Sequence, residues 1–480
     1  MTIDGQTLAD ESTNEASLGY ILRLAGPMVI TTISFTVMQF VDRMMVSRIG
    51  TGALAAVYPA GITAFLPGCF VLGVTTAVAT FVSQNHGRGH KQNCSSYCWQ
   101  CIYFGITFFI AVTALMWPLA PRIFRAMEQP ATIIPMEVIY FRILLLSQIL
   151  TVIIWSGSQF FMGIHKPLII MYAALTAQVA NITANYVLIF GKLGLPAMGI
   201  AGAAWGTFIG VLVGAAIRMS AFLAPTVNAE YSSRKMMKLD LAKMYNLIKI
   251  GFPAGLELTV NVAIWGIILS AFVGKFGKEA LAATSAVLAC TQVSVMPVVG
   301  MRNALTVAVG KAIGAGKKHI AVKQTSLCLR IAFAYMGLIG LGFLVFRNPI
   351  MRAWTTDQTA VAAKVINIGA RLLILAAVYQ VFHAARIIYS GALRGAGDTV
   401  WLALISASAS VLILGLGGWI AIQFFPNLGA MGPWTAATLS IMAVGLANRW
   451  RFNTNQWMKI DLFNQSSTPL PPQNGAVEQP

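Results

Sequence analysis

Asp42 is the only acid well inside an apolar stretch of the N-terminal half. A carboxylate taken out of water is costly unless it protonates, pairs or binds an ion, so its position points to ion or proton handling. The plainer reading is that Asp42 reaches headgroup water near the end of its helix, beside Arg43. Asn181 and Asn185 are four apart and share a helix face, where both amides can address one carboxylate. At about 1.5 Å per residue, Tyr140 in the preceding stretch lies at a similar depth. Amides also serve as glue between packed helices, so a polar seam is the competing account. In the C-terminal half, Glu257 and Arg386 reach similar depth, which favours a buried ion pair. A second proton site on Glu257 and His383 is the alternative. Cys94, Cys98 and Cys101 share a helical face, but without a fourth ligand they are small residues at a membrane edge and no metal site is expected.

The elements that must carry these groups follow from composition. Only 10% of the 480 residues are charged and the mean hydropathy is +0.72, well away from the roughly 25% charged content of soluble domains. A spanning helix needs about 20 apolar residues, and about twelve such stretches fit between residues 20 and 450. The seventh falls at about 250–273 and the twelfth at about 430–450. Long, continuously apolar, Gly-containing stretches favour helices over the alternating strands of a membrane barrel. The net charge of +18 sits in short loops, where the positive-inside rule explains it without nucleic acid. That bias places both termini in the cytosol. The acids Asp4, Asp10, Glu11 and Glu15 before a long first stretch argue against a cleaved leader.

The chain also repeats itself. Residues 48–56 (RIGTGALAA) reappear as 275–283 (KFGKEALAA), a shift of 227 that carries Gly73 onto Gly300 and Gly87 onto Gly314 without a gap. Six spans per copy is an even number, so both copies enter the membrane from one side and are related by an axis along its normal. The expected division is an N-terminal segment at 1–19, an N-lobe at 20–223, a basic linker at 224–247, a C-lobe at 248–451 and a disordered tail at 452–480. Two such lobes enclose a cavity that rocking opens to either face in turn, which is the architecture of a transporter.

Gly26-Pro27, Phe40-Val41-Asp42, Gly87-x-Gly89, Gly199-x-x-Gly202-Ala203-Ala204-Trp205 and Gly391-Ala392-Leu393-Arg394-Gly395-Ala396-Gly397-Asp398-Thr399 occur in this order on the repeated frame. On these pieces, residues 18–450 resemble the multidrug and toxic compound extrusion (MATE) family. The resemblance implies twelve helices in two six-helix bundles and export of bulky, often cationic compounds against a cation gradient. It also implies a coupling site with an acid in the first helix, a Tyr in the fourth, a polar pair in the fifth and a Thr in the sixth, here Asp42, Tyr140, Asn181 with Asn185, and Thr207. The sodium-coupled branch has acids in the seventh and tenth helices, where this chain has Asn261 and His383.

With those acids replaced, a proton is the expected coupling ion, while sodium stays open because it needs several oxygen ligands rather than one carboxylate. Pro27 removes a helix hydrogen bond in the span of Asp42 and is the expected hinge. Gln39, Tyr58, Trp265, Gln292, Met296 and Tyr379 are candidates for the cavity wall, with packing as the rival account. No Walker loop or nucleophile triad is present, so a secondary transporter without a cofactor is expected rather than an enzyme. The expected partners are drug-like small molecules and the lipid of a bacterial inner membrane, with the repeat making a monomer sufficient. A flippase for a lipid-linked precursor is the alternative, kept open by Arg302, Arg330 and Arg371. A non-transporting membrane enzyme or receptor is the distant third.

Overall fold

A computed structural model describes residues 17–265, 269–354 and 360–463. All its regular elements are helical. The first six long helices are α1 (Leu18–Ser47), α2 (Thr51–Gly87), α3 (Lys91–Ala126), α4 (Ile134–Gly163), α5 (Pro167–Phe190) and α6 (Gly199–Phe222). The short α7 (Pro225–Tyr231) opens the connection to α8 (Leu241–Ala263) and α9 (Leu269–Gly274). The remainder comprises α10 (Lys278–Gly314), α11 (Lys318–Val345), α12 (Arg347–Arg352), α13 (Ala360–Ala396), α14 (Thr399–Ser408), α15 (Gly417–Phe424) and α16 (Met431–Asn453). A π-helical stretch at Ala409–Leu416 joins α14 to α15.

Among the described residues ten helical spans are long and apolar enough to cross a membrane, the tenth running through α14, the π-helical stretch and α15. The seventh expected span is divided between α8 and α9, and α16, the twelfth, is more polar than the ten. Pro27 lies inside α1, which continues unbroken to Ser47, and its carbonyl accepts a 2.8 Å bond from Thr31 Oγ1.

Helices α1 to α6 pack mainly among themselves, as do α10 to α16, while α2 against α8 and α1 against α10 join the two sets. The joint is tight at the end of the bundle that carries the 224–247 connection, called here the linker face. A Cβ on Gly87 would strike the Lys311 carbonyl, and one on Gly314 would strike the Gln84 carbonyl. Both contacts are the same contact under the 227-residue shift, so one side-chain-free crossing is used twice. Thr80 Oγ1 donates to the Arg394 carbonyl at 2.9 Å and Gln84 Nε2 to the Gly395 carbonyl at 2.9 Å. Towards the opposite face, Tyr58, Phe65 and Val293 on α2 and α10 are exposed.

Two segments are more ordered than their composition suggests. The basic connection is docked on α3: Trp99 Nε1 donates to Ser233 O at 2.8 Å and Gln100 Nε2 to Lys238 O at 3.0 Å. The tail expected to be unstructured from 452 is structured as far as 463. Trp457, 1% exposed, stacks on Phe452 at 5.1 Å, while Arg88 pairs with Asp461 at 3.2 Å and lies over the Phe463 ring. One buried indole supplies the apolar surface that the polar composition concealed. Residues 1–16 and 464–480 of the two expected terminal segments lie outside the described residues.

Candidate cation site and inter-half cavity

Asp42 lies five residues before the end of α1, about 7.5 Å along the axis. Its Oδ1 accepts from Asn185 Nδ2 at 2.7 Å, and the same amide reaches Asn181 Oδ1 at 3.4 Å. Asn181 and Asn185 are 2% and 1% exposed. Asn185 Oδ1 is buried with no hydrogen-bond partner. A carboxylate beside an unpaired buried acceptor is an electron-rich pair that a proton or small cation would satisfy, since each unmade bond in a dry site costs free energy.

The two amides are placed by glycines on α6. Gly202, Gly206, Gly210 and Gly214 recur every four residues and lie against Leu188, Asn185, Asn181 and Ala177 of α5. A Cβ on Gly206 would overlap the Asn185 amide, and one on Gly210 would come within 2.6 Å of Asn181 Cβ. Small residues at this spacing let two membrane helices approach backbone to backbone. The four-residue glycine spacing is legible in the sequence, but that these glycines face Asn185 and Asn181 is set by the packing of α6 on α5. Tyr140 packs against the cluster of Val46, Ala53, Ile189 and Ala203 at the same end of α1 as Asp42. Thr207 bonds back to Ala203 O at 3.0 Å within its own helix, with no hydrogen bond to Asp42.

The polar group of the second half differs from the expected pair. Glu257 Oε2 accepts from Arg394 Nη2 at 2.6 Å, and Glu257 Oε1 accepts from Ser406 Oγ at 3.3 Å. Arg394, not Arg386, is therefore the partner of Glu257. Arg386 instead donates to Asn261 Oδ1 at 3.3 Å, with its Nη1 3.4 Å from His383 Nε2. Equal depth along two helices does not specify which face each residue turns to its neighbour, and the ion pair depends on that face. Among the described residues Arg302 donates to Asn303 Oδ1, at 3.1 and 3.3 Å. One guanidinium thus neutralises the carboxylate, while Arg386 and Arg302 are bonded to neutral groups and leave the cluster with an excess of positive charge.

The candidate wall residues divide. Gln39, Tyr58 and Gln292 are exposed and Met296 is half-buried. Tyr379 is not a wall residue: it is 4% exposed, stacked on Trp434 and edge-on to His383 in the second-half core. Trp265 packs against that same core. Arg330 and Arg371 are exposed, and of the three arginines named for a flippase only Arg302 lines the space between the halves.

An all-helical, twice-repeated bundle with ionisable groups inside its spans defines a multi-pass membrane transporter rather than an enzyme. The MatE family model matches residues 27–187 and again 253–418, so the chain belongs to the MatE family and the two matches follow the internal repeat. It is 27% identical over 462 residues to a probable multidrug resistance protein NorM of Mesorhizobium japonicum, covering 93% of this chain and 96% of the relative. A probable multidrug resistance protein NorM of Chromobacterium violaceum is 28% identical over 440 residues, covering 89% and 91%. Among solved structures, an outward-facing multidrug resistance MATE transporter matches with TM-score 0.82 at 18% identity, covering 91% of this chain and 96% of that one. A transporter of the wider superfamily from Pyrococcus furiosus, described as having a binding pocket of reversed polarity, matches with TM-score 0.83 at 19% identity, covering 92% and 96%.

Proposed function

We propose that this protein exports drug-like molecules across a bacterial inner membrane by proton antiport, with Asp42 as the coupling carboxylate. The observation that carries the reading is the Asp42 to Asn185 bond inside a membrane helix, beside the unpaired Asn185 oxygen. A carboxylate so placed favours its neutral form when the site is dry and its charged form when the site is wet, so its proton occupancy follows which face is open. Asn185 holds the carboxylate, Asn181 accepts from the same amide, and Tyr140 and Thr207 are carried by the neighbouring helices α4 and α6. Each proton entering down a potential of about 100 mV supplies about 2.3 kcal/mol, enough for a useful gradient of drug. Sodium is the competing ion, for which the Asp42 carboxylate and the two amide oxygens are the available ligands. A relation of the halves by rocking about the Gly87 and Gly314 crossing supplies alternating access. Both termini are cytosolic, the surrounding lipid is solvent rather than substrate, and one chain is the working unit.

The test is dye export from proteoliposomes under separately imposed proton and sodium gradients, with wild type and Asp42→Asn. The variant keeps the size and hydrogen bonding of the neutral acid but has no proton to release. It is expected to insert and to bind dye while losing proton-driven uphill export. Undiminished uphill export by Asp42→Asn would move the coupling site elsewhere.

A further inference from the structure

Deep between the halves, Thr76, Ala79 and Gln159 of the first half meet Arg302, Asn303, Thr306 and Arg394 of the second around a small cavity of about 20 Å³. Thr76 lies eleven residues from the end of α2 and Arg302 twelve from the end of α10, so the cavity is about 17 Å inside the linker face. Farther from that face, Tyr58 and Phe65 on α2 and Val293 on α10 are exposed.

Its electrostatics are one-sided. Of Arg302, Arg386 and Arg394, which act on one another and on Glu257, Arg394 alone has a described carboxylate within ion-pair distance. The formal sum of these four groups is positive, at membrane depth, where an uncompensated charge is costly. Arg302 spends its donors on one neutral amide oxygen, and the Nε proton of Arg394 is buried with no acceptor. Arg394 spends its other donors on Glu257 and Thr76, so the cavity offers a guanidinium answered only by an amide and one Nε proton answered by nothing; an anionic oxygen is the better-matched acceptor, and about 20 Å³ has room for one.

We infer that this cavity is an anion site, in which Arg302 and Arg394 receive the carboxylate of a zwitterionic or anionic substrate whose remaining bulk lies in the space above. The inference rests on the export reading and narrows it: the C-half cluster selects the acidic group of the cargo, while Asp42 handles the coupling ion. An anionic lipid headgroup carries the same chemistry, and the soluble molecule is favoured because Thr76, Ala79 and Gln159 wall the site from the first half, which places it between the halves rather than on a lipid-facing surface.

Rhodamine 110 and its methyl ester, rhodamine 123, differ only in whether the carboxyl is free, and both report binding to the purified full chain by fluorescence anisotropy. The acid is expected to bind about tenfold more tightly than the ester, a modest return for a charge-assisted bond to Arg. Arg302→Gln should bring that ratio to about one, and Arg302→Lys should restore part of it by keeping charge without the fork. Equal affinities in wild type would overturn the assignment, as would an undiminished preference in folded Arg302→Gln. Displacement of rhodamine 110 by phosphatidylglycerol in nanodiscs, absent with phosphatidylcholine, would assign the site to a headgroup and overturn the soluble-cargo assignment. Because these are binding measurements without an ion gradient, failure of the export reading shows separately, in the proteoliposomes.

Discussion

Glu257 and Arg394 illustrate how a single side chain acquires its role from its neighbours. Their side chains are 9% and 12% exposed and meet at 2.6 Å, with Ser406 completing the carboxylate. Removing one charge of a buried pair leaves the other unpaired in a dry site, which typically costs about 3–5 kcal/mol. Glu257→Gln is therefore expected to lower the unfolding temperature and the yield of the purified protein. Arg394→Gln in the same chain should recover part of the loss, which a double-mutant thermal-unfolding cycle measures. An unchanged melting temperature in the single variant would make the pair dispensable for stability. Asp42 is the opposite case: its partner is a neutral amide, so its charge remains available for chemistry.

At the scale of helices, the candidate cation site depends on the closeness of α5 and α6. Gly206→Ala places a methyl against the Asn185 amide and backbone, and overpacking of this kind costs about 1–3 kcal/mol. The expected outcome is a protein that inserts, melts earlier and loses proton-coupled export, since Asn185 is pushed away from Asp42. Gly26→Ala, where a Cβ would meet nothing within 4 Å, serves as the control. The linker offers a titratable test. Glu230 pairs with Lys91 at 3.0 Å and Lys166 at 3.4 Å. Partial burial raises its pKa, but the Lys91 hydrogen bond and the Lys166 charge outweigh that and hold it below the usual carboxylate range. A depressed folded-state pKa contributes stability above the unfolded value, and that contribution is lost as pH falls through the folded one. Melting of the wild type should thus fall more steeply than that of Glu230→Gln below about pH 4.5, by under about 1 kcal/mol because the pair is partly exposed.

For the whole molecule, the decisive feature is that the halves touch where neither has a side chain. Gly87→Val would drive a branched side chain into the Lys311 carbonyl and hold the linker face apart. Thr80, 1% exposed, is sealed at this joint by its bond to the Arg394 carbonyl. In a cysteine-free background, Thr80→Cys should react slowly with a membrane-impermeant thiol reagent presented to the linker face, and much faster when Gly87→Val is added. Equal labelling rates would mean that the crossing does not gate that face. Gly314→Val is expected to behave alike, because the repeat uses the same contact twice.

Much of this protein was legible in its sequence because membrane folding imposes strong one-dimensional signals. Length and continuity of the apolar stretches gave the helices, the 227-residue shift gave the repeat, and the cost of an intramembrane acid pointed to Asp42. Asn181 and Asn185 were legible for the same reason, since a four-residue spacing fixes a shared face whatever the tertiary fold. The partner of Glu257 was not. Three arginines lie within reach along the sequence of the second half, and choosing Arg394 over Arg386 requires the rotation of α13 against α8, which spacing does not specify. Tyr379 went to the core rather than the cavity on the same ground, because apolar periodicity in a bundle buried on several sides does not say which buried face meets the partner lobe. Only tertiary packing brought Thr76 and Gln159 over Arg302 and Arg394, and only there does the excess of positive charge become a site: an arginine's worth is set by the acceptors around it, and those came from the other half of the chain.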